Sequence, residues 1–467
     1  MNKKTKIVCT IGPTSSSVKV LVDLIKNGLN VVRLNFSHGT YADQLEIINN
    51  LRKAEKITKQ TIAIIQDLQG PKIRLGTMPE AGLPVEKDDL LILSTKHNAF
   101  TEIKSIPYIP IQYKNLHKDI GPKDIVLIED GLFKCQVISK NGQFIKVRAL
   151  TKGLLKTHKG LNVSTASISA DPLTKKDLED LQFGLKHQVD YVALSFVRKA
   201  SDIVRLKQII KKSGSSAKVI AKIERHEALK NLQEITEATD AIMVARGDLG
   251  VEIPAEEVPI HQKEMVRLAN SLGKPVIIAT EMLQSMIEKP RATRAEISDA
   301  ANAVFDHADA LMLSNETAVG KYPVEAVQTL NKVSENIENY QKIHNFTRLG
   351  YQSESHLDSE EICYNAAELA KRTKASLIIA ISRNGYTAQQ ISKQRIFTDI
   401  VVVTPDPQVK RELQLVWGIN NVYVIKLNDI DQILKFVQKS YPVKKSGKVV
   451  IVSNASDKNR QIYLKQL

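Results

Sequence analysis

Short apolar runs, each closed by polar residues or glycine, punctuate the first 320 residues of the chain. There are eight: TKIVCTIG (5–12), VVRLNFSHG (31–39), TIAIIQDLQG (61–70), YVALSFVR (191–198), KVIAKIE (218–224), AIMVARGDLG (241–250), KPVIIATEM (274–282) and ALMLSNETA (310–318). They are rich in Val and Ile, and most are too short for helices, so they predict buried strands. Segments with apolar residues at helical spacing follow them. SVKVLVDLIKNG (17–28) is one, and ADQLEIINNLRKAEK (42–56), entered through Gly39 and Thr40, is another.

Marker positions near the ends of the eight runs fall at 11, 37, 67, 195, 224, 246, 280 and 314, with intervals of 26, 30, 128, 29, 22, 34 and 34 residues. All but one interval match a single strand-plus-helix unit of an eight-fold barrel, at roughly 31 residues per unit. The long interval leaves room for an inserted domain of roughly 100 residues. The pattern therefore predicts a (β/α)8 TIM barrel over 1–70 and 171–345, interrupted after its third strand by an insert over 71–170. The insert contains Pro79, Pro84, Pro107, Pro110 and Pro122 and β-type runs at 124–130, 133–139 and 144–150, with a hairpin signal at Asn141-Gly142. It reads as a small β-barrel lid. Beyond 345, strand-like SLIIAIS (376–382), DIVVVT (399–404) and VVIVSN (449–454) alternate with helical segments, which predicts a C-terminal open α/β domain over 346–467.

Composition narrows the class. A chain of 467 residues suggests about three domains. Three distant cysteines, Cys9, Cys135 and Cys363, exclude a disulfide scaffold and suit a reducing compartment, so a cytoplasmic location is expected. No apolar stretch approaches the roughly 20 residues that span a bilayer, so no membrane partner is expected. The net charge is +15, but the basic residues are scattered and no aromatic residues interleave with a basic stripe. Nucleic acid is therefore not expected as a partner, and the excess is read as solvated lysine with some charge kept for phosphate ligands.

A barrel works at the C-terminal ends of its strands. There the second strand presents Arg33, Asn35 and Ser37 at spacing two, with Val32, Leu34 and Phe36 on the opposite face. A guanidinium inside a barrel needs an anionic partner, which favours an anion site over a purely structural network. The fifth strand presents Lys222 and Glu224, the sixth ends Arg246-Gly247-Asp248, the seventh at Thr280, and the eighth at Ser314 and Glu316. Two carboxylates beside one ammonium suit a divalent cation and a phosphate. A buried Lys222–Glu224 ion pair that needs no metal is the competing explanation, and Thr280 is either a proton relay or a satisfied hydroxyl. The Gly-Asp-Leu-Gly turn after the sixth strand can open a short helix whose free N–H groups hold an anion. His226 and His261 read as ordinary, and Trp417 as core.

The segments TKIVCTIGP, VVRLNFSHG, DLQGPKIR, AKIERHE, VARGDLG, ATEMLQSM, KPRATRAE and LSNETA occur in the order and spacing of the pyruvate kinases. The chain resembles that family over nearly its whole length. The resemblance implies a phosphotransferase that moves the phosphoryl group of phosphoenolpyruvate to ADP, giving pyruvate and ATP. It implies Mg2+ or Mn2+ at Glu224 and Asp248, and Lys222 at the transferring phosphoryl group. Arg33 would hold the substrate's phosphate, with Gly247, Asp248 and Thr280 at its carboxylate and enolate end. Asn35, Ser37, His38, Arg74 and Lys159 would line the nucleotide and phosphoryl path.

The family's K+ site would correspond to Asn35, Ser37, Asp67 and the carbonyl of Leu68. Here Lys72 stands where K+-dependent members tend to have Glu, and Leu68 and Gln69 follow the K+-independent pattern, so K+ is not expected to be required. Glu281 and Asn315 depart from the family's usual Gln and Gly. The C-terminal SNASDKNRQIYLKQL lacks the Gly-rich stretch of many effector pockets. Ser382, Arg383 and Thr387, at a turn into a helix, are the expected contacts of a small phosphorylated effector, against an ordinary strand–helix turn. A homotetramer is implied by resemblance alone. A metal-dependent lyase on a similar barrel and a catalytically idle paralogue are the alternative readings. The first would not need Lys222 with Arg33, and the intact rim residues oppose the second.

Overall fold

The computed structural model describes residues 3–129, 131–164, 166, 168–344, 358–426, 429–442, 447–453 and 461–466. The polar stretch before Glu360, with the expected domain boundary at 345, and much of the tail after Ser453 lie outside them. All eight apolar runs are strands of one closed barrel. These are β1 (Lys6–Thr10), β2 (Val31–Asn35), β3 (Ala63–Asp67), β4 (Tyr191–Leu194), β5 (Lys218–Ile223), β6 (Ala241–Ala245), β7 (Val276–Ala279) and β8 (Ala310–Leu313). Each pairs in parallel with its sequence neighbours, and β8 closes on β1 through Lys6↔Ala310. Alternation sorts the side chains. Val32 and Leu34 of β2 join the core between strands and helices, while Val31 of β2, Ile65, Ile220, Met243 and Ile277 fill the barrel interior.

The helices start where local chemistry supplies caps. Ser17 caps Val18–Lys26, and Thr40 with Asp43 forms a capping box on Tyr41–Thr58. Thr174 with Asp177 does the same for Lys175–Lys186, where the chain re-enters the barrel.

Between β3 and β4 lies an all-β insert with one short helix, Leu116–Asp119. It holds a seven-stranded sheet, a two-stranded sheet and its own apolar cluster around Leu91, Leu93, Val126, Ile145 and Val147. Phe133–Asn141 and Phe144–Ala149 are paired through the Asn141-Gly142 turn, where Gly142 takes φ 54°. The exit from β3 is tight. Gly70 takes φ 69°, and a Cβ there would lie 2.6 Å from the Phe196 ring, so only glycine fits. The C-terminal region is a five-stranded sheet, parallel except for its last strand, Gln461–Gln466.

The C-terminal region seals the bottom of the barrel. Leu415, fully buried, joins the barrel's interior cluster as a plug. Around it, Lys6 Nζ donates to the Ile419 carbonyl at 2.6 Å and to Asn420 Oδ1 at 2.7 Å. Arg395 pairs with Asp309 at 2.8 Å. Trp417 is buried, as expected, with Arg395 5.0 Å and Lys4 5.3 Å from its ring centre. Two carboxyls are buried in the same seam. Asp190 accepts from the Ile64 N–H at 2.7 Å and from Gln408 at 3.1 Å, and Glu412 lies 3.7 Å from Lys218. Burial pushes Asp190 up to about 6. Burial pushes Glu412 up to about 7, opposed by Lys218 and reinforced by Asp190.

A carboxyl whose folded pKa stands above its unfolded value binds a proton in the native state that the unfolded chain has released. Its contribution to stability is complete below the unfolded value of about 4 and is lost as pH rises through the folded one. The thermal midpoint should therefore fall between about pH 5 and pH 8. Glu412→Gln should flatten that fall and raise the midpoint at pH 8 by about 2 °C, read by scanning calorimetry across the range. A steeper fall in the variant would contradict the assignment.

Candidate active site at the barrel rim

Strand ends β2 to β7 bring the expected rim residues together. Lys222, 9% exposed, stands among Ser195 Oγ at 2.7 Å, Glu224 Oε1 at 2.7 Å and Asp67 Oδ1 at 3.3 Å. Asp67 is also held by Arg33, whose Nε lies 2.6 Å from Oδ2. The Arg33 Nη1 donates to Thr10 Oγ1 at 2.9 Å. The guanidinium thus finds its anion within the protein, so its burial does not by itself require a bound phosphate. Burial alone would lower the Lys222 pKa, but Asp67, Glu224 and Asp248 outweigh it and raise it. Burial would raise Asp67, and Lys222 and Arg33 hold it below the usual carboxylate range. Glu224 is raised by burial and by Asp248, against the pull of Lys222.

The charges of this group do not balance. Arg33 and Lys222 face Asp67, Glu224 and Asp248, and the surplus negative charge sits at the Glu224–Asp248 end. Glu224 keeps its second oxygen on the Phe196 N–H at 2.9 Å. Asp248 is exposed in the first turn of the helix Arg246–Glu252, which opens directly after β6 as the Gly-Asp-Leu-Gly turn predicts. An oxygen-only pair of carboxylates with excess negative charge fits a hard divalent cation. The competing ion pair, Lys222–Glu224, is also formed. The two readings are compatible, because Asp248 is left over.

Thr280 lies at the end of β7 with its Oγ1 accepting the Gly247 N–H at 2.8 Å. On the β2 side the arrangement is more local. Asn35 Oδ1 accepts the Ser37 N–H at 3.1 Å, and His38 is exposed. The Leu68 carbonyl accepts the Ser195 hydroxyl at 2.8 Å. Lys72 is exposed and takes no ion pair among the described residues. Its Cε lies near Gly160 of the insert. Arg74 bridges to Gly160, and Lys159 lies 2.5 Å from Glu129, so these two are neighbours on the insert. In the C-terminal region Gly385, at φ 85°, leads into Tyr386–Lys393. Ser382 and Thr387 are buried there, Arg383 is exposed, and the Ser382 hydroxyl has no hydrogen-bond partner among the described residues.

Sequence reasoning missed two features. Ser195 follows Ala193 of β4 at spacing two and so points inward with it; that signal was available. The second joins distant segments and carries no local signature. Glu252, 4% exposed, lies 3.3 Å from Arg225 and 3.1 Å from His226 Nδ1, and accepts from Asn162 of the insert at 3.3 Å. His226 is thus part of the seam between insert and barrel rather than an ordinary surface residue, whereas His261 only pairs with Glu264 on its own helix.

Comparison with known proteins agrees with this geometry. Residues 2–327 match the family model "Pyruvate kinase, barrel domain", and residues 360–461 match "Pyruvate kinase, alpha/beta domain". The chain is 41% identical over 427 residues to a pyruvate kinase of Staphylococcus epidermidis, covering 90% of this chain and 72% of that protein. The figures for a pyruvate kinase of Staphylococcus aureus are the same. A crystal structure of a pyruvate kinase from Cryptosporidium parvum superposes with a TM-score of 0.91 at 34% identity, covering 99% of this chain and 96% of that one. The fold and the rim together define a TIM-barrel phosphotransferase. The chain belongs to the pyruvate kinase family.

Ser195 orients Lys222 without carrying charge. Ser195→Ala should lower turnover about tenfold, the loss of one hydrogen bond to a charged group, while the fold persists. Steady-state kinetics beside a thermal melt would check this; unchanged turnover would show that the carboxylates alone fix the ammonium.

Proposed function

We propose that the rim cluster carries out transfer of the phosphoryl group of phosphoenolpyruvate to ADP, giving pyruvate and ATP. The observation that carries this is Lys222, buried among Asp67, Glu224 and Ser195 and so fixed as a cation at the mouth of the barrel. Phosphoryl transfer needs positioning and charge neutralisation more than covalent help. Lys222 and Arg33 face the transferring group and neutralise charge that builds on its oxygens. Glu224 and Asp248 would hold Mg2+ or Mn2+, which supplies further neutralisation and orients the phosphates. Gly247 and the first turn of its helix receive the substrate's carboxylate. When the phosphoryl group leaves, the enolate takes a proton at its methylene carbon, and the Thr280 hydroxyl stands where it can pass that proton on. Asn35, Ser37 and His38 at the rim, with Arg74 and Lys159 on the insert, receive the nucleotide when the insert closes and excludes water. In this division the insert spans 71–170 and the regulatory α/β domain begins at 346.

We further infer that K+ is not required. Asp67 already has two cationic partners, Arg33 and Lys222, and the Leu68 carbonyl is engaged by Ser195. Lys72, at the exit to the insert, brings an additional ammonium to the same side of the site. The Ser382 hydroxyl beside the Gly385 turn, without a partner among the described residues, supports a small phosphorylated effector there, contacted also by Arg383 and Thr387. A homotetramer in the cytoplasm is the expected setting. Among the described residues no helix is long and apolar enough to cross a membrane.

A coupled assay of pyruvate formation from phosphoenolpyruvate and ADP tests the reading directly. Lys222→Met keeps the length and apolar contacts and removes the charge. It should reduce turnover by about 1000-fold or more while the protein stays folded, and equal turnover would sink the assignment. For the monovalent cation, turnover at fixed ionic strength should persist when K+ is replaced by a bulky tetraalkylammonium ion, and Lys72→Glu should create a K+ requirement. A large loss of wild-type activity without K+ would refute the inference.

A further inference from the structure

The chain reverses after β7 through two consecutive left-handed residues, Thr280 at φ 68° and Glu281 at φ 54°. Neither is glycine, and Thr280 is β-branched. A β-branched side chain at positive φ is an outlier that persists only where its surroundings over-determine it. The Thr280 hydroxyl donates back to the Ala279 carbonyl at 2.6 Å, and contacts on both sides of the turn add to this. The Arg246 Nη2 donates to the Thr280 carbonyl at 2.7 Å. Its Nη1 is held by both oxygens of Asp299, at 2.8 and 2.7 Å, from the helix Arg294–Phe305. On the far side of the turn, Glu316 accepts the Leu283 N–H at 3.0 Å and the Ser314 N–H at 2.8 Å, tying the turn to the end of β8. Glu316 is 1% exposed, and Met282 and Leu283 are fully buried, so this anchor is rigid.

The consequence falls on the hydroxyl. With its carbonyl pulled toward Arg246, Thr280 presents Oγ1 to the Gly247 N–H at 2.8 Å, beside Asp248. Arg246 and Gly247 are adjacent in sequence, so the segment that forms the anion-binding turn also fixes the residue opposite it. We propose that Arg246 is a positioning residue for the reaction. Oriented by Asp299, its guanidinium holds Thr280 in the strained conformation that delivers the hydroxyl to the substrate, with Glu316 as the second clamp. This rests on the reading of Thr280 as a group that meets substrate. The guanidinium of Arg246 is spent on Asp299 and the Thr280 carbonyl.

A double-mutant cycle tests it. Arg246→Met should lower kcat about 10–100-fold, the scale of a misplaced reacting group, with KM for ADP changed less than about twofold. Arg246→Lys, which keeps the charge and one donor, should recover part of the loss, and the near-isosteric Asp299→Asn should lower kcat by a smaller factor. In a Thr280→Ala background Arg246→Met should add less than about a twofold further loss, because its target is gone. A kcat per folded molecule that stays at the wild-type level in Arg246→Met, or losses that multiply in the double variant, would overturn the positioning role. If Arg246→Met fails to fold, the same cycle with Asp299→Asn decides the matter. Wild-type kcat in Thr280→Ala alone would instead overturn the reading of Thr280 on which the proposal rests.

Discussion

A lysine ammonium cannot sit inside a barrel mouth without anions around it, and most of the rim follows from that requirement. Lys222 takes Asp67 from β3 and Glu224 from the end of its own strand, and Asp67 in turn takes Arg33 from β2. Four buried charges from three strands therefore hold one another in place. Removing Lys222 would leave Glu224 without its cation, and removing Asp67 would leave Arg33 without its anion, each at a cost of several kcal/mol. The group is not neutral, because Asp248 adds a negative charge at the open side. A cluster that is self-consistent within the barrel and short of positive charge at its mouth suits the cation and phosphoryl group of the proposed reaction.

The two ends of the barrel divide the labour. At the bottom the C-terminal region contributes Leu415 to the interior packing and satisfies Lys6, Asp309 and Tyr191 by direct contacts. The mouth of the barrel thus rests on a closed base. At the top the cover is lighter. The insert hangs from Gly70 on one side and from the Thr174 cap region on the other, and meets the rim through contacts such as Asn162 with Glu252. Among the described residues Arg198 also ties to the Ile168 carbonyl, and a body with its own apolar core suits the closing movement proposed for the insert.

Strain marks the same face. Thr280, Glu281 and Phe196 all adopt positive φ at strand ends of the barrel. At two of them a hydrogen bond within the rim also maintains the conformation: the Phe196 N–H on Glu224, and the Thr280 carbonyl on Arg246.

The chain's own pattern determined the architecture. Eight strands with spacing near 31 residues, one long interval and a change of texture after 345 are visible because barrel strands must be apolar and β-rich, and because alternation assigns each side chain a face. The same alternation placed Arg33, Lys222 and Glu224 at the rim. Tertiary structure alone decided how they pair. That Arg33 spends its charge on Asp67 could not be read from two residues 34 apart. Nor could the meeting of Asn162, Arg225, His226 and Glu252, which requires the insert and two barrel loops to be folded first. Lys159 and Arg74 lie together on the insert because a bridge to Gly160 sets their register, and no local signal specifies it. The left-handed pair Thr280-Glu281 was equally invisible, since neither residue favours that conformation. Local sequence fixes which face a side chain takes within its own element. Which charge meets which, and where the backbone is bent against preference, depends on elements brought together from across the chain.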